Sequence, residues 1–276
     1  MIRELFSKAN EPLQLSFDQG GFLIDALLLF SYGFMVPKEQ EAELKGRAMS
    51  GIKAHWTREF PYDEEMGQAM TEFFLARGVE RKTIDSILKE VEANQVIRLR
   101  CQLKEVPSNY RFPLIPYFIS LLRGERRPQL VSFKKYRRMP AHVASSLPRR
   151  IWGVFRNGTV VSLGLNWTPR FTGRIFLPIR YSAWLLPRIA AHEFGHCMGL
   201  GDAYGAWYRG YSEAPGTEHY LMNSNSVLHA EEFKMVLRAQ ARRKMQHFPQ
   251  NITWKEIKSR LSSKWKRISA DKNKRR

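Results

Sequence analysis

The chain has 276 residues, 43 % of them hydrophobic, and a formal net charge of +19. That length suits one large domain or one domain with additions, and the apolar content excludes wholesale disorder. Two cysteines, Cys101 and Cys197, exclude a disulfide framework, while the excess of Lys and Arg implies attraction to polyanions such as nucleic acid, anionic lipid or acidic protein surfaces.

Residues 1–20 are polar and mixed in charge, which is not the pattern of a secretory signal. The expected location is the cytoplasm where the chain is made, with a non-classical export route as the alternative. The apolar stretch 21–36 is shorter than the roughly 20 residues that span a bilayer, and Asp25 lies inside it. It reads as a buried helix or a strand pair within an N-terminal segment, 1–38; membrane insertion is the other reading. Residues 39–56 form a predicted helix, with Leu44, Ala48, Ile52 and Trp56 on one face. Residues 62–93 read as an inserted pair of helices broken at Gly78, the second capped by Thr83.

The period changes at Val96. Ile97, Leu99, Cys101 and Leu103 alternate with Arg98, Arg100, Gln102 and Lys104, which predicts a strand with one buried face. Residues 107–150, rich in proline and basic pairs, read as an irregular basic insertion. Asn157-Gly158 then divides two apolar runs within 151–165, the chemistry of a two-residue hairpin turn. Residues 174–180 form a further predicted strand. Pro178 cannot donate to a ladder, so that strand is expected at a sheet edge. Residues 230–247 read as a closing helix with Phe233, Val236, Leu237 and Gln240 on one face. The tail, 251–276, is basic and amphipathic: a helix packed on the domain with a solvated basic face, or one that lies on an anionic surface.

The segment that carries chemistry runs from His192 to Tyr204 and reads H-E-x-x-H-x-x-G-x-x-D. Histidines four apart on a helix project from one face, so His192 and His196 can reach one metal ion. Glu193 lies between them, placed to work on a metal-activated water. Gly199 stands where the helix should stop and can take the left-handed conformation that turns the chain. The turn would return Asp202 as a third ligand, with Glu213, Glu218 and His219 as fallbacks. Cys197 follows a ligand but is rotated by about 100° from it on a helix, so it reads as a buried thiol.

These residues resemble the zinc site of the metzincin metallopeptidases, in particular the snapalysin-like branch, where aspartate replaces a third histidine. His192, Glu193, His196, Gly199, Asp202 and Tyr204 match that pattern, and the resemblance covers about 174–223. It implies an α+β fold: a twisted sheet with an edge strand that binds substrate, a zinc-site helix and a C-terminal helix, here with an N-terminal helical extension. The metallopeptidase domain would run over 39–250. The resemblance implies Zn2+ as cofactor, a protein or peptide substrate, Glu193 as general base and Met222 as the methionine of a turn beneath the metal. Some metzincins carry a tyrosine two residues after that methionine. Ser224 stands there in this chain, so the oxyanion donor is open among Tyr204, Tyr208, Tyr211, His219 and Tyr220. Residues 191–204 also resemble metallopeptidase modules of bacterial polymorphic toxins. A different class of reading is a basic nucleic-acid- or membrane-surface-binding protein with a structural zinc site.

Overall fold

Gly21–Tyr32 is one long strand, β2, in the middle of a seven-stranded sheet. It is neither a helix nor a strand pair folded within itself. Its antiparallel partner β1 (Leu13–Asp18) precedes it, and Gly20, at φ 73°, makes the turn between them. The computed structural model describes residues 11–18, 20–106, 126–135, 139–146, 149, 165–204 and 213–249. The turn at Asn157-Gly158 and the basic tail lie outside them, as does much of 107–150.

The remaining strands among the described residues are β3 (Arg58–Pro61), β4 (Val96–Glu105), β5 (Gln129–Lys134), β6 (His142–Ala144) and β7 (Arg174–Pro178). The sheet order is β3-β4-β2-β5-β7-β6. The central pairs β4–β2, β2–β5 and β5–β7 are parallel; β1, β3 and β6 add antiparallel strands. The expected α+β arrangement is therefore corrected to a mixed α/β fold. The N-terminal helical extension is corrected as well, because the chain up to Tyr32 supplies the middle of the sheet.

Two strand expectations change with it. The stretch 107–150 is not wholly irregular, since β5 and β6 come from it. Nor is β7 at the edge: β6 pairs outside it, up to His142 opposite Phe176. Ile179 N donates to the Lys134 carbonyl on the β5 side. By strand alternation the Pro178 nitrogen faces the β6 side, just past the end of that ladder, so its missing N–H costs no sheet bond.

The helices pack on one face of the sheet. Along β2, Phe22, Ile24, Ala26 and Leu28 are fully buried, and the Phe22 ring meets Phe73, Phe74 and Phe233. In β4, Ile97, Leu99 and Cys101 face the core as the alternation predicts, while Arg98 and Arg100 are exposed. Helix α1 (Lys38–Trp56) buries Leu44, Ala48, Ile52 and Trp56, as its spacing predicts. Helix α2 (Glu64–Leu75) is capped by Asp63, which accepts from Met66 N at 2.7 Å. Gly78, at φ 77°, separates it from α3 (Arg81–Asn94). The N-cap of α3 is Glu80; Thr83 lies inside the first turn and is not the cap.

Three further helices complete the described chain: α4 (Leu185–Met198), the single turn α5 (Leu221–Ser224) and α6 (Ala230–Arg242). The last buries Phe233, Val236, Leu237 and Gln240 as expected but stops at Arg242, where Arg243 turns left-handed at φ 54°. Lys234 on α6 is 1 % exposed and bonds Asp63 and Glu231 at 2.7 Å each, tying α6 to the start of α2. A single hydrophobic core runs from Leu13 to Phe248. Among the described residues no helix is long and apolar enough to cross a membrane.

Candidate metal centre

Helix α4 is buried along most of its length and held from two sides. Pro187 lies in its first turn, where a proline removes no intrahelical bond. Gly51 of α1 presses on that turn so closely that a Cβ there would stand 2.3 Å from the Pro187 carbonyl oxygen. Further along, Trp56 Nε1 donates to the Ala191 carbonyl at 3.0 Å and Trp167 Nε1 to that of Cys197 at 2.8 Å. Gly199 ends the helix at φ 98°, and its N–H reaches the carbonyls of Gly195 and His196. A Cβ at Gly199 would also come within 2.8 Å of Ala239 and Trp167, so both conformation and space demand glycine.

The turn after Gly199 brings Asp202 back onto the helix face. Asp202 Oδ1 lies 3.4 Å from His192 Nε2 and 3.1 Å from His196 Nε2. One ligand atom from each residue falls within 4.8 Å of the others. Ligands of a tetrahedral zinc, at about 2.0–2.1 Å from the ion, stand roughly 3.3 Å apart, so the triad fits one ion. Each histidine is oriented through its other nitrogen: His192 Nδ1 lies 2.9 Å from the Leu221 carbonyl and His196 Nδ1 2.8 Å from that of Leu200. A carbonyl only accepts, so both Nδ1 atoms carry hydrogen and both Nε2 atoms are turned toward the triad.

Electrostatics agree with a cation site. Burial alone would raise the Asp202 carboxyl, but the adjacent histidines hold it well below the carboxylate range. Burial alone would lower His196; Asp202 overrides this and holds its imidazole up at about 9. Burial pushes the Glu193 carboxyl up, against the pull of His196 and His192. Glu193 is 4 % exposed and its buried Oε2 has no hydrogen-bond partner among the described residues. A buried carboxylate oxygen without a partner is one that a water, an ion or a ligand can satisfy.

Met222 is fully buried in α5 and its carbonyl accepts from Ala203 N at 3.0 Å, which fixes the loop carrying Asp202. The turn is anchored by a residue that periodicity did not single out. The Glu232 carboxylate accepts from Leu221 N (3.1 Å), Met222 N (2.7 Å) and His229 N (2.8 Å). Its signal was its place at N3 of α6, where an acidic side chain can reach back to the helix start. Trp56 and Trp167 were likewise missed as braces of α4.

Among the other candidates, Tyr204 lies beside the triad, its ring centroid 6.0 Å from that of His192. Tyr220 instead stacks on His229 at 4.4 Å and meets Phe248. Glu213, Glu218 and His219 are exposed and outside the ligand group, and so is the buried Cys197. Tyr208 and Tyr211 lie outside the described residues. Comparison of the chain with protein-family models, with curated proteins and with solved structures found no match.

Proposed function

We propose that the chain is a zinc-dependent endopeptidase of metzincin type, with His192, His196 and Asp202 as metal ligands and Glu193 as general base. The observation that carries this reading is the pairing of a three-ligand group with a buried, unpartnered Glu193 oxygen. A structural zinc site fills four protein positions and has no use for such a carboxylate. Three ligands leave one position open.

When bound, zinc would act as a Lewis acid toward the attacking water and the scissile carbonyl. Glu193 takes the proton of that water as its oxygen attacks the carbonyl carbon, then delivers it to the leaving nitrogen. Burial raises its carboxyl above the ordinary carboxylate range, which favours uptake of the proton from the attacking water. Tyr204, whose ring centroid lies 6.0 Å from that of His192, is the proposed donor to the developing oxyanion. Substrate selection by an extended strand is assigned to β6, since among the described residues it is β6 and not β7 that ends the sheet.

The test is reversible loss of activity. Purified chain incubated with unfolded casein should cleave it, stop after chelation and resume on addition of zinc. Cleavage that persists in the fully chelated protein would remove zinc from the mechanism.

A further inference from the structure

The face of the sheet away from the helices carries a different chemistry. A cavity of about 470 Å³ opens there, lined by Arg127, Arg149, Arg170 and Arg174 and, among the described residues, by no aspartate or glutamate. Arg174 of β7 stands in register with Leu130 of β5 and Ala144 of β6 to form its floor. The neighbours Val131, Ile175 and Val143 point the other way, into the core under the helices. The sheet therefore lies between this cavity and the metal triad.

The arginines are held in place by rings and hydroxyls. The Arg149 guanidinium sits 3.8 Å from the Phe171 ring centroid, with Arg127 5.0 Å from the same ring. Arg174 donates from Nε to Ser132 Oγ at 2.6 Å and from Nη2 to Ser31 Oγ at 3.0 Å. Arg127 is the most deeply buried of the four. It is 6 % exposed, lines the cavity, and its buried Nη1 has no hydrogen-bond partner among the described residues. Its neighbour Arg126 shows the ordinary solution, an ion pair with Asp25 at 2.9 Å. A guanidinium buried without that solution is costly unless an anion joins it.

We propose that this cavity binds a small organic phosphate, with Arg127 as the inner contact and Arg170 at the mouth. Guanidinium forks fixed in plane suit the oxygens of a phosphate, which accept paired N–H donors. The volume is that of a small-molecule site, and the Phe171 and Phe176 rings offer an apolar wall to the rest of such a ligand. A polymer backbone would track exposed cations; Arg127 is reachable only by a group that enters. This inference stands apart from the peptidase reading.

The experiment is calorimetric titration of the full chain with tripolyphosphate, and with inorganic phosphate as a shorter probe. Saturable binding of one tripolyphosphate per chain is expected. Arg127→Gln and Arg170→Gln should each weaken it by at least roughly tenfold, the size of one lost charge-assisted bond. Lys89→Gln, which removes the same charge from the exposed face of α3, should leave it unchanged. Arg170 is exposed, so its variant decides the matter if Arg127→Gln does not fold. Absence of saturable binding, or equal weakening in all three variants, would overturn the proposal in favour of diffuse attraction to a basic chain. Arg127-dependent displacement of the probe by short duplex DNA would overturn the small-molecule assignment.

Discussion

The sulfur of Met222 rests against Gly195, on the turn of α4 that joins His192 to His196. A Cβ built on Gly195 would lie 2.4 Å from Met222 Sδ. Both residues are buried, and Met222 is at 0 % exposure, so neither has room to retreat. The glycine at the centre of the motif is thus a packing requirement of the methionine beneath it.

Gly195→Ala should therefore destabilise the fold by about 1–3 kcal/mol, the usual cost of overpacking a core. Shortening the methionine in the double variant Gly195→Ala/Met222→Ala should recover part of the strain, giving a favourable coupling in a double-mutant cycle. Chemical denaturation of the four proteins checks this. Strict additivity would mean that the two side chains do not compete for the same space.

Glu232 gives the fold a pH dependence. Burial raises its carboxyl to about 7, above the unfolded value of 4.5. The folded state holds that proton more tightly, so the associated stability is present below about 4.5 and is lost as pH rises through 7. Relative to Glu232→Gln, which resembles the protonated form, the wild type should lose stability across that window. Paired denaturation curves at pH 5 and pH 8 measure the difference. The same offset at both values would contradict it.

Metal binding should be linked to a proton on His196. In the metal-free protein its imidazole is held up at about 9 by Asp202, so it is protonated at neutral pH. A metal must displace that proton, and apparent zinc affinity should climb with pH up to about 9 and level off above it. Titration in buffers of different ionisation enthalpy counts the protons released. In chelated protein the same group stabilises below its unfolded value of 6.5, and that stability fades as pH rises through 9.

What could be read in the sequence follows from which residues answer to one constraint and which to two. The strand β4 has a wet face and a dry face, so its alternation is visible, and α1 shows its stripe for the same reason. The strand β2 lies between β4 and β5 and is apolar along nearly its whole length; a run of that kind does not distinguish helix from strand. The short strands β5 and β6 sit among prolines and arginines, and only their partner β7 makes them strands. Pro178 pointed to an edge, but the ladder beyond β7 ends before reaching it.

The site was more legible than the fold. His192, His196, Gly199 and Asp202 lie within a dozen residues, where helix geometry alone fixes their relation. The parts that hold them are distant in sequence: Trp56 on α1, Trp167 before β7 and Glu232 on α6. No local pattern announces such a contact.

The most direct measurement compares wild type with Glu193→Gln for zinc content and casein hydrolysis. Glutamine keeps the shape but cannot take a proton, so both proteins should bind one zinc per chain. Hydrolysis by the variant should fall by about 10²–10⁴-fold, the range for a lost general base. A variant that binds zinc and cleaves as fast as the wild type would contradict the account.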